Sequence, residues 1–206
     1  MIAVVDYDAG NIKSVERALA HLGQETAVTR DPARILGAEG VVLPGVGAFG
    51  GAMEKLHSFG LAEVIREAVD REIPFLGICL GLQLLFDSSE ESPGVEGLHI
   101  LKGKILRIPS GGGLKVPHMG WNNLSFPRPG RLFQGLGGDS CVYFVHSYYL
   151  QAEEEGIVTA ETEYGVHIHA AVEKGNVFAC QFHPEKSSHV GMGILRNFVD
   201  CCGGKA

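Results

Sequence analysis

Phe75-Leu76-Gly77-Ile78-Cys79-Leu80-Gly81-Leu82-Gln83-Leu84-Leu85-Phe86 is the stretch that decides the fold. Its first four residues are an uninterrupted apolar run after Ile73-Pro74, the pattern of a strand covered on both faces. Leu80 to Phe86 then opens a helix, so a buried strand feeds directly into a helix. Upstream the alternation repeats. Ile2 to Asp6 is an apolar run, closed by a turn at Ala9-Gly10-Asn11. Ile12, Val15, Leu19 and Leu22 recur at helical spacing, with Gly23 where that helix would stop. Glu25 to Thr29 and Gly40 to Leu43 supply two more strands, the second ended by Pro44-Gly45. Leu61, Val64, Ile65 and Ala68 mark a helix that must finish before Ile73-Pro74, because the residue preceding a proline disfavours helical angles.

Continuous apolar strands alternating with amphipathic helices imply an α/β fold, an open and mostly parallel sheet flanked by helices. Downstream the pattern changes. Leu98 to Ile108, Trp121 to Phe126, Cys141 to Leu150, Ile157 to Tyr164, His167 to Lys174 and Asn176 to Phe182 are expected as strands joined by short turns. They predict antiparallel or mixed sheet added in the second half. Ile194, Leu195, Phe198 and Val199 predict a closing helix. No internal repeat or long polar linker divides the chain, so residues 1–206 are expected to form a single domain.

With 45% apolar and 20% charged residues, the chain has the balance of a soluble globular protein. A net charge of −7 and the lack of a dense basic patch exclude phosphate-backbone binding as an expectation. No apolar stretch approaches the roughly 20 residues of a spanning helix, and Met1 leads into Ile2-Ala3-Val4-Val5 without a signal-peptide pattern. The five cysteines lack C-x-x-C spacing, which argues against a disulfide framework or structural zinc. A reducing cytoplasm is the expected compartment, with each thiol available for chemistry.

Gly77-Ile78-Cys79-Leu80-Gly81, between strand and helix, has the G-x-nucleophile-x-G form of a nucleophile elbow, with cysteine as nucleophile. The helix N-terminus favours a thiolate there, and the Leu80 amide is placed to meet an oxyanion. A buried structural cysteine is the alternative reading of Cys79 taken alone. A thiol nucleophile needs a base, and the base needs an orienting acceptor. His183-Pro184-Glu185 offers both, with Glu185 close enough in sequence to turn back on the imidazole. Pro44-Gly45-Val46-Gly47 follows the third strand at the carboxyl edge, where such sheets bind ligands. Its small residues let backbone amides approach a substrate.

Taken in order, Pro44-Gly45-Val46-Gly47, Gly77-Ile78-Cys79-Leu80-Gly81-Leu82-Gln83 and Gln181-Phe182-His183-Pro184-Glu185 resemble the three signatures of class I (triad) glutamine amidotransferases. Four longer segments, Pro44 to Phe49, Pro117 to Asn122, Tyr143 to Tyr148 and Phe182 to Ser188, resemble the glutaminase subunits of imidazole glycerol phosphate synthase. The similarity runs from Tyr7 to Ser188. It implies a flavodoxin-like glutaminase fold and a Cys79–His183–Glu185 triad that releases ammonia from glutamine. It further implies oxyanion donors from Gly45, Val46, Gly47 and Leu80, and substrate contacts from Gln83, Glu91, Ser147 and Tyr148. The implied partner is a cyclase subunit, a (β/α)8 barrel in a 1:1 heterodimer, meeting a surface that carries Pro117, Met119 and Trp121. No cofactor or metal is implied.

The motif departs at Asp6-Tyr7-Asp8-Ala9-Gly10-Asn11, where Asp8 and Ala9 replace the glycine-rich pattern usual in the family. His167 and His169 could share a strand face, but no third metal ligand is apparent beside them. Trp121, the only tryptophan, sits in a proline-bounded motif that favours an interface anchor over a core position. Two rival functions remain open: a glutaminase subunit of another ammonia-using synthase, and a catalytically silent regulatory homologue.

Overall fold

The computed structural model describes residues 1–111 and 113–203. Of the Gly111–Gly113 stretch, to which the sequence assigns no role, Gly112 therefore lies outside the described residues. The chain begins with strand β1 (Ile2–Val5), helix α1 (Ile12–His21), β2 (Thr26–Thr29), α2 (Pro32–Leu36) and β3 (Gly40–Leu43). Helices α3 (Phe49–Ser58) and α4 (Leu61–Asp70) lead to β4 (Phe75–Ile78) and α5 (Leu80–Leu84). Then follow β5 (Ser88–Ser89), β6 (Gly103–Arg107), β7 (His118–Asn123), β8 (Cys141–His146) and β9 (Tyr148–Ala152). Strands β10 (Val158–Glu163), β11 (His167–Lys174) and β12 (Val177–Cys180) precede the closing helix α6 (Ser188–Gly203).

The main sheet has seven strands in the order β10-β11-β12-β4-β3-β1-β2. All pairings from β2 to β12 are parallel; β12–β11 and β11–β10 are antiparallel. Leaving aside the antiparallel extension, β2-β1-β3-β4-β12 is the flavodoxin-like order. Every residue of β1, β3, β4 and β12 is buried, as expected of strands covered on both faces, whereas β2 at the edge is only partly so. A three-stranded sheet (β5-β6-β9) and a two-stranded ribbon (β7-β8) complete the second half.

Several sequence expectations need correction. The expected strand from Leu98 to Ile108 contracts to β6. Leu98, Ile100 and Leu101 instead donate their amides to the Leu84 and Leu85 carbonyls at the end of α5, capping that helix. The expected strand from Cys141 to Leu150 breaks at Ser147, where the chain leaves the ribbon with β7 and joins the sheet with β6. Similarly, the strand expected over Trp121 to Phe126 begins earlier, at His118, and the one expected over Asn176 to Phe182 is limited to β12. Helix α3 is absent from the sequence reading because Gly50 and Gly51 open it, each costing about 1 kcal/mol of helix propensity. Burial of Phe49, Ala52, Met53 and Leu56 on one face forms it anyway.

Candidate active site

Cys79 stands between β4 and α5 with φ 55° and ψ −106°, an uncommon conformation for a residue with a side chain. Its amide donates to the Cys180 carbonyl of β12 at 2.8 Å, so the adjoining strand pins the turn. Close packing explains both elbow glycines. A Cβ on Gly77 would lie 2.8 Å from the Gly81 carbonyl oxygen, and one on Gly81 would strike the Leu43 carbonyl of β3. The sharp turn therefore needs hydrogen at both positions.

Beyond β12, His183 is buried, and its Nδ1 lies 2.8 Å from Glu185 Oε1. The carboxylate can only accept, so Nδ1 carries a proton in either charge state and Nε2 is the atom that gains or loses one. Asn11 Nδ2 donates to the same Glu185 oxygen at 2.6 Å, so two donors meet on Oε1 while Oε2 is buried without a partner among the described residues. Burial disfavours a charged imidazole here. The neighbouring Cys79 sulfur and Glu185 carboxylate outweigh that penalty and hold His183 up at about 9. Its Nε2 is buried and makes no well-formed hydrogen bond among the described residues, leaving the Cys79 sulfur as its polar neighbour.

Cys79 and His183 open onto a cavity of roughly 320 Å3, suited to a small ligand. Val46, Gly47, Leu80, Gln83, Glu91, Ser147 and Tyr148 line it with them. The exception among the expected substrate residues is Gly45. It is buried under the loop, where a Cβ would collide with the Tyr7 hydroxyl and sit 2.9 Å from Leu80 Cβ. Tyr7 in turn donates to the Pro44 carbonyl at 2.9 Å and fixes the root of that loop. The Glu91 carboxylate accepts from the Phe49 amide at 2.7 Å, which ties the cavity wall to the start of α3.

The three residues expected at a partner surface are all exposed. Met119 and Trp121, at 62% and 55% exposure, share the outer face of β7, so Trp121 is not a core residue. Pro117 is exposed as well and also lines the cavity. At the altered motif, Asp8 adopts φ 60°, and Arg30 bonds both Asp6 and Asp8. Aspartate is among the residues that best tolerate that conformation, so the turn holds with aspartate rather than glycine at position 8.

The model for "Glutamine amidotransferase class-I" matches residues 3–201. The chain belongs to that family. Within this glutamine amidotransferase family its similarity is more specific. It is 54% identical to the imidazole glycerol phosphate synthase subunit HisH of Moorella thermoacetica over 197 residues, covering 96% of this chain and 93% of that protein. The HisH subunit of Methanothermobacter thermautotrophicus is 49% identical over 200 residues, covering 97% and 98%. These matches make the chain a member of the HisH group. Among solved structures, one titled as a glutamine amidotransferase superposes with TM-score 0.77 at 22% identity, covering 98% of this chain and all of that one. The PurLQS structure from Thermotoga maritima gives 0.71 at 21%, covering 97% of both chains. Both share the fold.

Three site residues of this glutamine amidotransferase escaped the sequence reading. Asn11 and Gln181 stood inside recognisable motifs, but nothing in a linear sequence reveals that Asn11 reaches Glu185 or that Gln181 Nε2 contacts Cys79 Sγ at 3.7 Å. His146, a cavity-lining residue, lay within an expected strand. A third potential metal ligand beside His167 and His169 also emerges. Strand pairing brings Glu161 opposite His169, and one potential ligand atom from each of the three lies within 4.8 Å of the others. Internal bonds already occupy the group: His167 pairs with Glu161 and Glu163, and His169 Nδ1 accepts the Ala152 amide at 3.1 Å. That bond leaves the His169 proton on Nε2, which is the wrong tautomer for ligation through Nε2. No helix among the described residues is long and apolar enough to cross a membrane.

Proposed function

We propose that the chain is the glutaminase of an imidazole glycerol phosphate synthase, hydrolysing glutamine to glutamate and ammonia through Cys79, His183 and Glu185. The observation that carries this reading is the convergence of the strained Cys79 elbow and the buried His183–Glu185 pair on one cavity. The Cys79 thiol gives its proton to His183, and the sulfur attacks the side-chain amide carbon of glutamine. The nitrogen takes a proton from His183 and leaves as ammonia, giving a γ-glutamyl thioester. Water then adds as His183 accepts its proton, and the thiol is released with glutamate. Glu185, braced by Asn11, keeps the imidazole in the required tautomer.

Oxyanion donors come from the Leu80 amide and the Gly45-Val46 loop. Neither the Val46 amide nor the Gly45 carbonyl has a hydrogen-bond partner among the described residues, so no hydrogen bond has to break for this peptide to turn. In this reading it turns its amide inward only when the loaded partner is bound, which prevents wasteful hydrolysis. Gln83, Glu91, Ser147 and Tyr148 hold the amino-acid end of glutamine. The ammonia passes to a (β/α)8 cyclase subunit, in a cytoplasmic 1:1 heterodimer, which makes imidazole glycerol phosphate and an aminoimidazole carboxamide ribotide. Met119 and Trp121 are the exposed apolar groups offered to that partner. Glutamate release, assayed with and without the cyclase subunit, tests the reading. Turnover that rises with the partner supports it, and none under either condition overturns it.

A further inference from the structure

Strand β7 turns Met119 and Trp121 outward and His118 and Asn122 inward, following the two-residue period of a strand. Across the ribbon His118 is paired with His146, the last residue of β8. The two rings form a buried, hydrogen-bonded dyad, with His118 Nδ1 2.9 Å from His146 Nε2. The proton positions follow from the ends of the chain. His146 Nδ1 lies 2.8 Å from the Tyr148 carbonyl, which can only accept, so His146 carries its proton on Nδ1. A neutral His146 then accepts at Nε2, so His118 also carries its proton on Nδ1. His118 Nε2 faces the Asn122 amide nitrogen at 3.4 Å. Asn122 is itself oriented, because its Oδ1 accepts the Asn123 amide and its Nδ2 donates to the Glu163 carbonyl, both at 2.9 Å. Burial disfavours charge on both rings, lowering His118 to about 4 and His146 to about 3, so both are neutral near pH 7.

The chain of donors ends at the cavity wall. Gln83 also donates to the Tyr148 carbonyl, at 3.0 Å, and to Gln181 Oε1 at 3.1 Å. Both Gln83 amide protons are thereby committed, leaving its Oε1 as an acceptor for a ligand. Gln181 in turn contacts Cys79 Sγ. His118 is further clamped between the rings of Phe144 and Tyr164, at centroid distances of 4.7 and 3.9 Å. We propose that His118 and His146 are positioning residues, a neutral imidazole pair that fixes the Tyr148 carbonyl and, through it, the Gln83 side chain that receives the amino-acid end of the substrate. This role rests on the glutaminase reading. It is separate from the triad, because neither ring is needed to move a proton during hydrolysis.

The test uses the chain in complex with its cyclase partner. His146→Asn places an amide N–H near the former Nδ1, whereas His146→Leu offers none. The expected result is a KM for glutamine raised about tenfold or more by His146→Leu, with kcat changed less than about threefold, and substantial rescue by His146→Asn. His118→Phe keeps the ring stack while leaving His146 Nε2 unpartnered, and should raise KM severalfold; it serves if His146→Leu does not fold. In parallel, 15N NMR of the histidine rings in the wild-type chain at pH 7 should find both imidazoles neutral and protonated on Nδ1. An Nε2-protonated or charged ring at either position overturns the assignment. So does wild-type turnover with the KM unchanged in the folded variants, or equal losses of kcat in His146→Leu and His146→Asn. A wild-type complex that hydrolyses no glutamine brings down the glutaminase reading and this role together.

Discussion

Gly81→Ala isolates the packing that shapes the nucleophile elbow. An added Cβ would meet the Leu43 carbonyl, lying 2.9 Å from its carbon and closer still to its oxygen, where ordinary contact begins at 3.4 Å. Leu43 cannot yield easily, because β3 is paired to β1 on one side and β4 on the other. Helix α5 must therefore lift away by an amount on the order of 1 Å. Overpacking of this kind costs about 1–3 kcal/mol, and a clash with fixed backbone belongs at or above the upper end. A displacement of about 1 Å in a reacting group can also cost about 100-fold in rate. Gly51→Ala is the control. Gly51 lies in α3, and a Cβ there meets nothing within 4 Å, so this change should stabilise by roughly 0.5–1 kcal/mol. Urea unfolding followed by circular dichroism, with glutaminase rates of the complex, reads both effects. Gly81→Ala with wild-type stability and turnover would refute the close-packing account of the elbow.

Cys79→Ala should abolish glutamine-dependent synthesis while synthesis from added ammonia continues, as measured in the reconstituted complex. Trp121→Ala should weaken partner binding by about 2 kcal/mol in titration calorimetry, since its exposed ring has no core role to lose. His183 should titrate near 9 by NMR, and Glu185→Gln should lower that midpoint by removing one of the groups that raise it while burial remains. Because the folded value exceeds the unfolded one, the stability linked to this proton is complete below about 6.5 and fades as pH rises through about 9. Finally, Gly45→Pro, whose Cβ also crowds the Tyr7 hydroxyl and Leu80, should reduce partner-stimulated turnover by at least about 100-fold, the lower end of the cost of a lost oxyanion donor, with a smaller effect on glutamine binding. Equal rates for the lone chain, the complex and the liganded complex would contradict the gating of that loop.

The parallel half of the fold was legible because each central strand is buried on both faces and carries its signal in consecutive residues, as in Phe75 to Ile78. The second half was harder. Apolar Leu98 and Leu101 cap a helix end rather than a ladder, and the strand from Cys141 changes sheets at Ser147 without any glycine or proline to mark the break. Cys79, His183 and Glu185 stood out because their neighbours are constrained by chemistry: glycines around the elbow, and a base with its acceptor two residues apart. Asn11, Gln181 and the His118–His146 pair did not, because their meaning lies in contacts between residues far apart in sequence. The metal question shows the same limit. Glu161 meets His167 and His169 only through the β10–β11 register, and the bond from Ala152 that commits His169 comes from a third strand.

The central claim is that Cys79 carries the γ-glutamyl group during turnover. Acid quench of the complex while it consumes glutamine, followed by proteolysis and mass mapping, tests this directly. The account predicts the acyl group on the peptide containing Cys79, and its disappearance in Cys79→Ala. Sustained glutamine hydrolysis with the acyl group on another residue, or continuing in the Cys79→Ala complex, would contradict it.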